Sequence, residues 1–441
     1  MDYVRLKGLL SSADSGERHS PTPNTNKVNI NISAIPSKSH LHRLLICAAL
    51  SDKPTFIKCA HKAHEGADIK TTINCLLALG AQIERANGGY KIAPIDRANL
   101  PDKSILPCAE SGSTLRFMLP IVCALGISCE LQMSGRLPER PMKHLEDELI
   151  RGGIHLWRPQ ANVLCCEGKL GTGEFHLPGN ISSQYISGML MALPLLDERN
   201  SLHVSEPIES EGYIDMTLEV LRAFGEVPQK SRTLYETGDA RGFRSPEIIT
   251  AEGDWSNAAF WLAAGALSNG NVRLSGLNLE STQGDKAICD ILAQMGAIIS
   301  WDDDFVCVSH GQLRGIEIDA SNIPDLVPIL ALVASVSVGE TLIYNASRLR
   351  LKESDRLVST CSVLNTLGAK ITEEADGLRI EGVPHLTGGV VDSHSDHRIA
   401  MMAGIASLVS MGDITVNGSG AVDKSYPGFW EEELLTRTRE V

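Results

Sequence analysis

Six apolar runs, each opened by a small polar cluster, punctuate the chain. Ser37-Lys38-Ser39 precedes LLICAAL, Ser111-Gly112-Ser113 precedes LRFMLPIVCAL, and Ser182-Ser183-Gln184 precedes YISGMLMALPLL. Asp254-Trp255-Ser256 then precedes NAAFWLAAGAL, Pro324-Asp325 precedes LVPILALVAS, and Ser395-Asp396-His397 precedes RIAMMAGIASLV. Short polar side chains satisfy the free N–H groups of a helix start, so each cluster reads as an N-terminus. Marked at 37, 111, 182, 255, 324 and 396, the runs recur at steps of 74, 71, 73, 69 and 72 residues. A second helical pattern ends in Gly at 80, 152, 225, 296 and 368, at steps of 72, 73, 71 and 72. Short strand-like stretches such as NVRLSGL, TLIYNA and DITVNG lie between them.

The pattern predicts six mixed α/β repeats of about seventy residues. The first helix of each is apolar nearly all round and should be buried, whereas the second carries a charged face, as in MKHLEDELI, and should lie outside. Buried helices would run in parallel with their N-termini aligned. Six such units exceed one core, so two globular domains of three repeats are expected. The first spans 37–252. The second combines 253–441 with 28–36, because the strand KVNINISAI has no earlier unit to join. Residues 1–27 form an N-terminal extension.

Charge narrows the function classes. With 40 Lys and Arg against 54 Asp and Glu, the net charge of −14 argues against non-specific grip on nucleic acid. No run of about 18 apolar residues is present, and the first 26 residues lack the form of a secretory signal, so a soluble cytoplasmic protein is expected. Nothing calls for an obligate partner, and a monomer is expected. The eleven cysteines include no Cys-x-x-Cys pair and read as small reduced hydrophobes. His40-Leu41-His42 and His394-Ser395-Asp396-His397 read as ordinary polar residues at helix starts, so no metal site is expected. The glycines Gly168, Gly171 and Gly173 have the wrong spacing for a phosphate loop and read as a turn.

Candidate chemistry gathers at the helix starts. Lys38, Arg43, Arg116, Arg136, Arg140, Lys352, Arg356, Arg398 and Lys424 lie at or near them in an otherwise acidic chain. Arg43, Arg116 and Arg398 have apolar flanks, where an unpaired guanidinium is costly. Cations beside the positive ends of helix dipoles suit strongly anionic small molecules. Gly112 allows close approach of backbone to a ligand, while Ser39, Ser182, Ser183 and Gln184 add neutral donors. Asp325 reads either as a helix cap or as an acid–base group. Glu353, between Lys352 and Arg356, reads either as part of a solvated charge run or as a proton carrier held among cations.

The segments PSKSHLHR, GSTLR, GRLPERP, ISSQYISG, EGYIDMTLEV, NIPDLV, RLKESDRL and DHRIAMM, in this order, closely resemble the 5-enolpyruvylshikimate-3-phosphate synthase family from about Val28 onward. The resemblance implies a two-domain inside-out α/β barrel of six βαβαββ repeats that closes over its substrates. It implies addition of the 5-hydroxyl of shikimate 3-phosphate to phosphoenolpyruvate, then loss of phosphate, with no cofactor. Shikimate 3-phosphate would be held by Ser39, Arg43, Ser182, Ser183, Ser210, Tyr213, Asp325 and Lys352. Phosphoenolpyruvate would be held by Lys38, Gly112, Arg136, Arg356, Arg398 and Lys424, and Gln184 would touch both. Lys38, which would also touch shikimate 3-phosphate, Asp325 and Glu353 would carry protons. Glyphosate should compete with phosphoenolpyruvate.

Three positions depart from the family pattern: Glu110 stands for Asn, Arg348-Leu349 for Asn-Trp, and Phe117 for Pro. Two rivals share the fold. A UDP-N-acetylglucosamine enolpyruvyl transferase would carry a reactive Cys in the stretch that here reads Ser134 to Pro141, and none is present. A non-catalytic sensor of anionic metabolites would need the cations but not Lys38, Asp325 and Glu353 together.

Overall fold

The structure, a computed structural model, describes residues 2–10, 28–59, 65–237, 242–302, 305–436 and 438. The chain divides into two compact units, a central one of Pro36–Glu252 and a split one of Met1–Ile35 with Gly253–Val441. Each encloses its own hydrophobic core.

In the central unit α1 (Lys38–Ala49), α3 (Gly112–Leu125) and α5 (Ser183–Ala192) alternate with α2 (Ala67–Ala78), α4 (Lys143–Arg151) and α6 (Glu211–Ala223). The odd-numbered helices are buried through most of their length, as their all-round apolar sequences require. Three four-stranded sheets accompany them, and all share one topology. A parallel pair opens each sheet, and two antiparallel strands follow. In the first sheet the opening strand is Ile248–Thr250, supplied by the far end of the unit.

The split unit repeats the scheme with α7 (Trp255–Leu267), α8 (Ile288–Met295), α9 (Val327–Ser335), α10 (Arg356–Thr366), α11 (His397–Ala406) and α12 (Glu433–Thr436). Every residue of α7 is buried, and α7, α9 and α11 pack on one another. Strand Val28–Ser33 pairs in parallel with Gly270–Ser275, which ties the segment before α1 to this unit. The last sheet differs from the other five. Its parallel pair, Gly389–Asp392 and Ile414–Asn417, is joined by Tyr3–Leu6 running antiparallel. Residues at the start of the chain, read from sequence as an extension outside the resemblance, therefore supply a strand with Val4 and Leu6 buried.

The side chains of Ser37, Ser111, Ser182, Asp254 and Asp396 cap α1, α3, α5, α7 and α11. The fourth marker thus belongs on Asp254 rather than Trp255. The exception is α9, which follows a 3-10 turn at Pro324–Leu326 and has no side-chain cap. Gly80, Gly225, Gly296 and Gly368 take the left-handed conformation expected after the outer helices. In the second repeat that role moves from Gly152 (φ −75°) to Gly153 (φ +97°). Among the described residues, no helix is long and apolar enough to cross a membrane.

Candidate active site

In the central unit, the starts of the inner helices are laced together by polar side chains. Arg43 of α1, 2% exposed, donates from Nε to Thr217 Oγ1 (2.7 Å) and from Nη1 to the Ser39 carbonyl (2.6 Å). Its Nη2 donates to Ser187 Oγ (3.1 Å) and to the Tyr213 carbonyl (3.0 Å). The guanidinium lies 5.0 Å from the Phe117 ring centroid. All these partners are neutral, and burial draws its pKa down from 12.5 to about 10. Phe117, one of the departures from the family pattern, is the aromatic floor of this site.

A second cluster joins α3 to α5. Arg116 donates from Nη1 to Gln184 Oε1 (2.7 Å), and Gln184 Nε2 donates to Ser113 Oγ (2.9 Å). Gly112 lies beneath two guanidiniums: a Cβ there would stand 2.7 Å from Arg140 Nη1 and 3.1 Å from Arg116 Nη1. The bare glycine lets both charges close over the α3 N-terminus. At the start of α1, Lys38 Nζ pairs with Asp68 Oδ2 at 2.9 Å, with both side chains largely buried. Behind it, hydroxyl contacts run from Ser111 through Thr114 and Thr72 to His42. Burial lowers the His42 pKa to about 3 and that of His40 to about 4, so both imidazoles are neutral at physiological pH.

Of the other sequence candidates here, Ser182 caps α5, Ser183 is its first residue, and Ser210 holds a left-handed conformation (φ +55°) just before α6. Tyr213 enters the Arg43 cluster through its carbonyl. Arg136 is half exposed, with its Nε 3.6 Å from Glu139.

The split unit is built differently. Arg356, 1% exposed at the start of α10, donates from Nε to Asp396 Oδ2 (2.7 Å), from Nη1 to Asp325 Oδ1 (2.6 Å) and from Nη2 to Glu353 Oε2 (2.8 Å). Burial works against its charge, but Asp396, Glu353 and Asp325 outweigh it and raise its pKa. Asp325 also faces Lys352 Nζ at 3.7 Å and Arg398 Nη2 at 3.5 Å. Lys424 Nζ stands 3.8 Å from Glu353 Oε1. All six candidates of this unit, Asp325, Lys352, Glu353, Arg356, Arg398 and Lys424, therefore belong to one ion network.

Of the two readings of Asp325, the helix cap does not hold. The carboxylate sits within the 3-10 turn, caps nothing, and turns to three cations. Burial opposes its ionisation, yet Lys352, Arg398 and Arg356 hold its carboxyl well below the usual range. Burial also lowers the Lys352 ammonium from 10.5 to about 8, against the pull of Asp325. Glu353, far from a solvated run, has a side chain only 13% exposed.

Sequence reasoning missed Asp68 and Thr217, which carry no local signal. It took Asp396 only as part of a polar helix start, although the side chain both caps α11 and binds Arg356. Buried Asp285 was also missed. It accepts a hydrogen bond from Ser256 Oγ, and the Ser256 carbonyl accepts one from Arg398 (2.8 Å). Cations placed in this way suit anions, and carboxylates held by cations suit proton transfer.

Comparison with known proteins agrees with this chemistry. The family model described as EPSP synthase (3-phosphoshikimate 1-carboxyvinyltransferase) matches residues 23–432. A 3-phosphoshikimate 1-carboxyvinyltransferase from Clostridium acetobutylicum is 42% identical over 403 residues, covering 90% of this chain and 92% of the relative. Another, from Clostridium perfringens, is 40% identical, covering 93% and 96%. In fold, the chain is similar to EPSP synthase from Acinetobacter baumannii, with a TM-score of 0.80, 24% identity and coverage of 100% and 98%. The enolpyruvyl transferase NikO from Streptomyces tendae has the same kind of fold, with a TM-score of 0.74, 17% identity and full coverage of both chains.

Proposed function

The chain belongs to the EPSP synthase family, the 3-phosphoshikimate 1-carboxyvinyltransferases, and on that premise we propose how its own residues divide the reaction. The enzyme transfers the enolpyruvyl group of phosphoenolpyruvate to shikimate 3-phosphate in the shikimate pathway to aromatic amino acids. The 5-hydroxyl adds to C2 of phosphoenolpyruvate, giving up its proton, while another proton goes to C3. Loss of a C3 proton from the tetrahedral adduct then expels inorganic phosphate and restores the double bond.

Shikimate 3-phosphate is held by Ser39, Arg43, Ser182, Ser183, Ser210, Tyr213 and Lys352, with Asp325 accepting from its hydroxyls. Arg43 already uses four of its N–H bonds within the protein, so it orients Ser39 and Tyr213 and offers one remaining Nη1 hydrogen. Phosphoenolpyruvate is held by Lys38, Gly112, Arg136, Arg356, Arg398 and Lys424, and Gln184 reaches both substrates. Cationic side chains stabilise charge on phosphate and carboxylate as fixed groups that need no reorganisation.

Asp325, Glu353 and Lys38 move the protons. The supporting observation is the split-unit network, in which Asp325 and Glu353 share Arg356 as partner. An incoming anion that draws off these cations raises the proton affinity of both carboxylates at the moment a base is needed. In the same reading, the six repeats are βαβαββ units forming two inside-out barrels, with α1, α3 and α5, and α7, α9 and α11, as the inner layers. The protein is read as a cytoplasmic monomer of 47.6 kDa, which light scattering tests.

The decisive assay is phosphate release from shikimate 3-phosphate and phosphoenolpyruvate. Release should require both substrates. Glu353→Gln should lower turnover by about two powers of ten or more while leaving shikimate 3-phosphate affinity nearly intact. Wild-type turnover in that variant would refute its role.

A further inference from the structure

Lys424 ends a short 3-10 helix, Ser419–Lys424, and the start of that helix is held by the second residue of the chain. The Asp2 carbonyl accepts from Gly418 N–H at 2.8 Å. Its carboxylate accepts from the Ser419 hydroxyl (2.7 Å) and from Gly420 N–H (2.9 and 3.0 Å to the two oxygens). A Cβ on Gly420 would come 2.9 Å from that carboxylate, so the glycine permits the approach. One residue thus serves three donors at the positive end of the helix that carries Lys424.

Asp2 is itself anchored. Tyr3–Leu6 pairs antiparallel with Ile414–Asn417, the strand that runs into this helix, in the register Tyr3 with Asn417 and Leu6 with Ile414. Arg5 pairs with Asp413 at 2.9 Å, and Lys7 N–H donates to the Thr438 carbonyl at 2.7 Å. Val4 and Leu6 enter the core. The family model begins only at residue 23, so this clamp lies ahead of the part of the chain that it matches.

We propose that Asp2 is a positioning residue for phosphoenolpyruvate binding: by capping the helix Ser419–Lys424, it fixes where the Lys424 ammonium stands beside Glu353. This rests on the reading of Lys424 as a phosphoenolpyruvate ligand. At about 2 Å of rise per residue, five residues carry a displacement at Asp2 some 10 Å to Lys424. The Trp430 indole, which donates to the Ser419 carbonyl at 3.0 Å, limits that displacement without replacing the cap.

The test is steady-state kinetics on the full chain with Asp2→Ala, Asp2→Asn and Lys424→Ala, alone and combined. Loss of a helix cap changes a local equilibrium about fivefold. Asp2→Ala should therefore raise the KM for phosphoenolpyruvate about fivefold while leaving the KM for shikimate 3-phosphate unchanged. Asp2→Asn, which keeps one side-chain acceptor oxygen for Ser419 and Gly420, should restore most of the loss. In the Lys424→Ala background, Asp2→Ala should add nothing. If Lys424→Ala raises the KM for phosphoenolpyruvate and Asp2→Ala does not, the positioning role is wrong while the ligand role of Lys424 stands. If Lys424→Ala has no effect, that ligand role fails, and the proposal with it. A fall in melting temperature with equal increases in both KM values would reduce Asp2 to a structural staple and overturn the proposal.

Discussion

Arg43, within α1 of the central unit, and Arg356, at the start of α10 of the split unit, are each almost completely buried, yet they are neutralised in opposite ways. Arg43 donates to two hydroxyls and two carbonyls and keeps its charge at a cost, with its pKa drawn down to about 10. Arg356 donates to three carboxylates, which hold its proton more firmly than in water. A guanidinium among neutral acceptors leaves a positive potential that a ligand can neutralise. One bound to carboxylates presents an ion network in which an anion must compete, and the displaced carboxylates become bases. Arg43 thus keeps a charge compensated only by dipoles, whereas the charge of Arg356 is met by carboxylates of its own unit.

Removing each arginine puts this comparison to its hardest test. Arg356→Met leaves Asp396, at 0% exposure, without its guanidinium, and should cost about 3–5 kcal/mol in urea unfolding. Arg43→Met strands neutral groups and should cost about 1–3 kcal/mol. Equal losses would break the contrast.

Asp285 sharpens it from the other side. Burial first, and then Asp325, raise its pKa from 3.8 to about 6, against the pull of Arg398. Between these values the folded state binds more protons than the unfolded one, so the group costs stability that is fully lost above pH 6 and regained below about pH 4. Asp285→Asn should therefore stabilise the protein by up to about 3 kcal/mol at pH 8 and by little at pH 4, as read from unfolding midpoints.

Lys352 gives a functional version of the same test. With its ammonium lowered to about 8, the free enzyme loses this cation above that pH. The KM for shikimate 3-phosphate should rise up to about tenfold per pH unit beyond 8, and Lys352→Arg should move the break upward. The smallest effect is expected at the floor of the Arg43 site. Phe117→Leu removes the ring 5.0 Å from the guanidinium and should cost about 1 kcal/mol or slightly more. A cost several times larger would mean that packing, rather than the cation, dominates there.

The chain's amino-acid order alone determined the repeat, the buried and outer helices and most of the caps. These depend on near neighbours: the polar residue before an apolar run and the glycine after an amphipathic one answer to backbone geometry within a turn or two. Position at the helix starts brought out the arginines, Asp325 and Glu353, and the family motifs attached roles to them. Partner choice was another matter. Asp68 lies 30 residues from Lys38, Asp396 lies 40 from Arg356, and Thr217 lies 174 from Arg43. A charge among apolar neighbours announces that it needs compensation, but whether hydroxyls, carbonyls or carboxylates provide it depends on which helix packs alongside. For the same reason the sequence left open that Asp325 caps a helix, while the fold turns its carboxylate to three cations instead. The clamp from Asp2 to Gly420 spans 418 positions, and only a completed sheet could place the first strand beside the last.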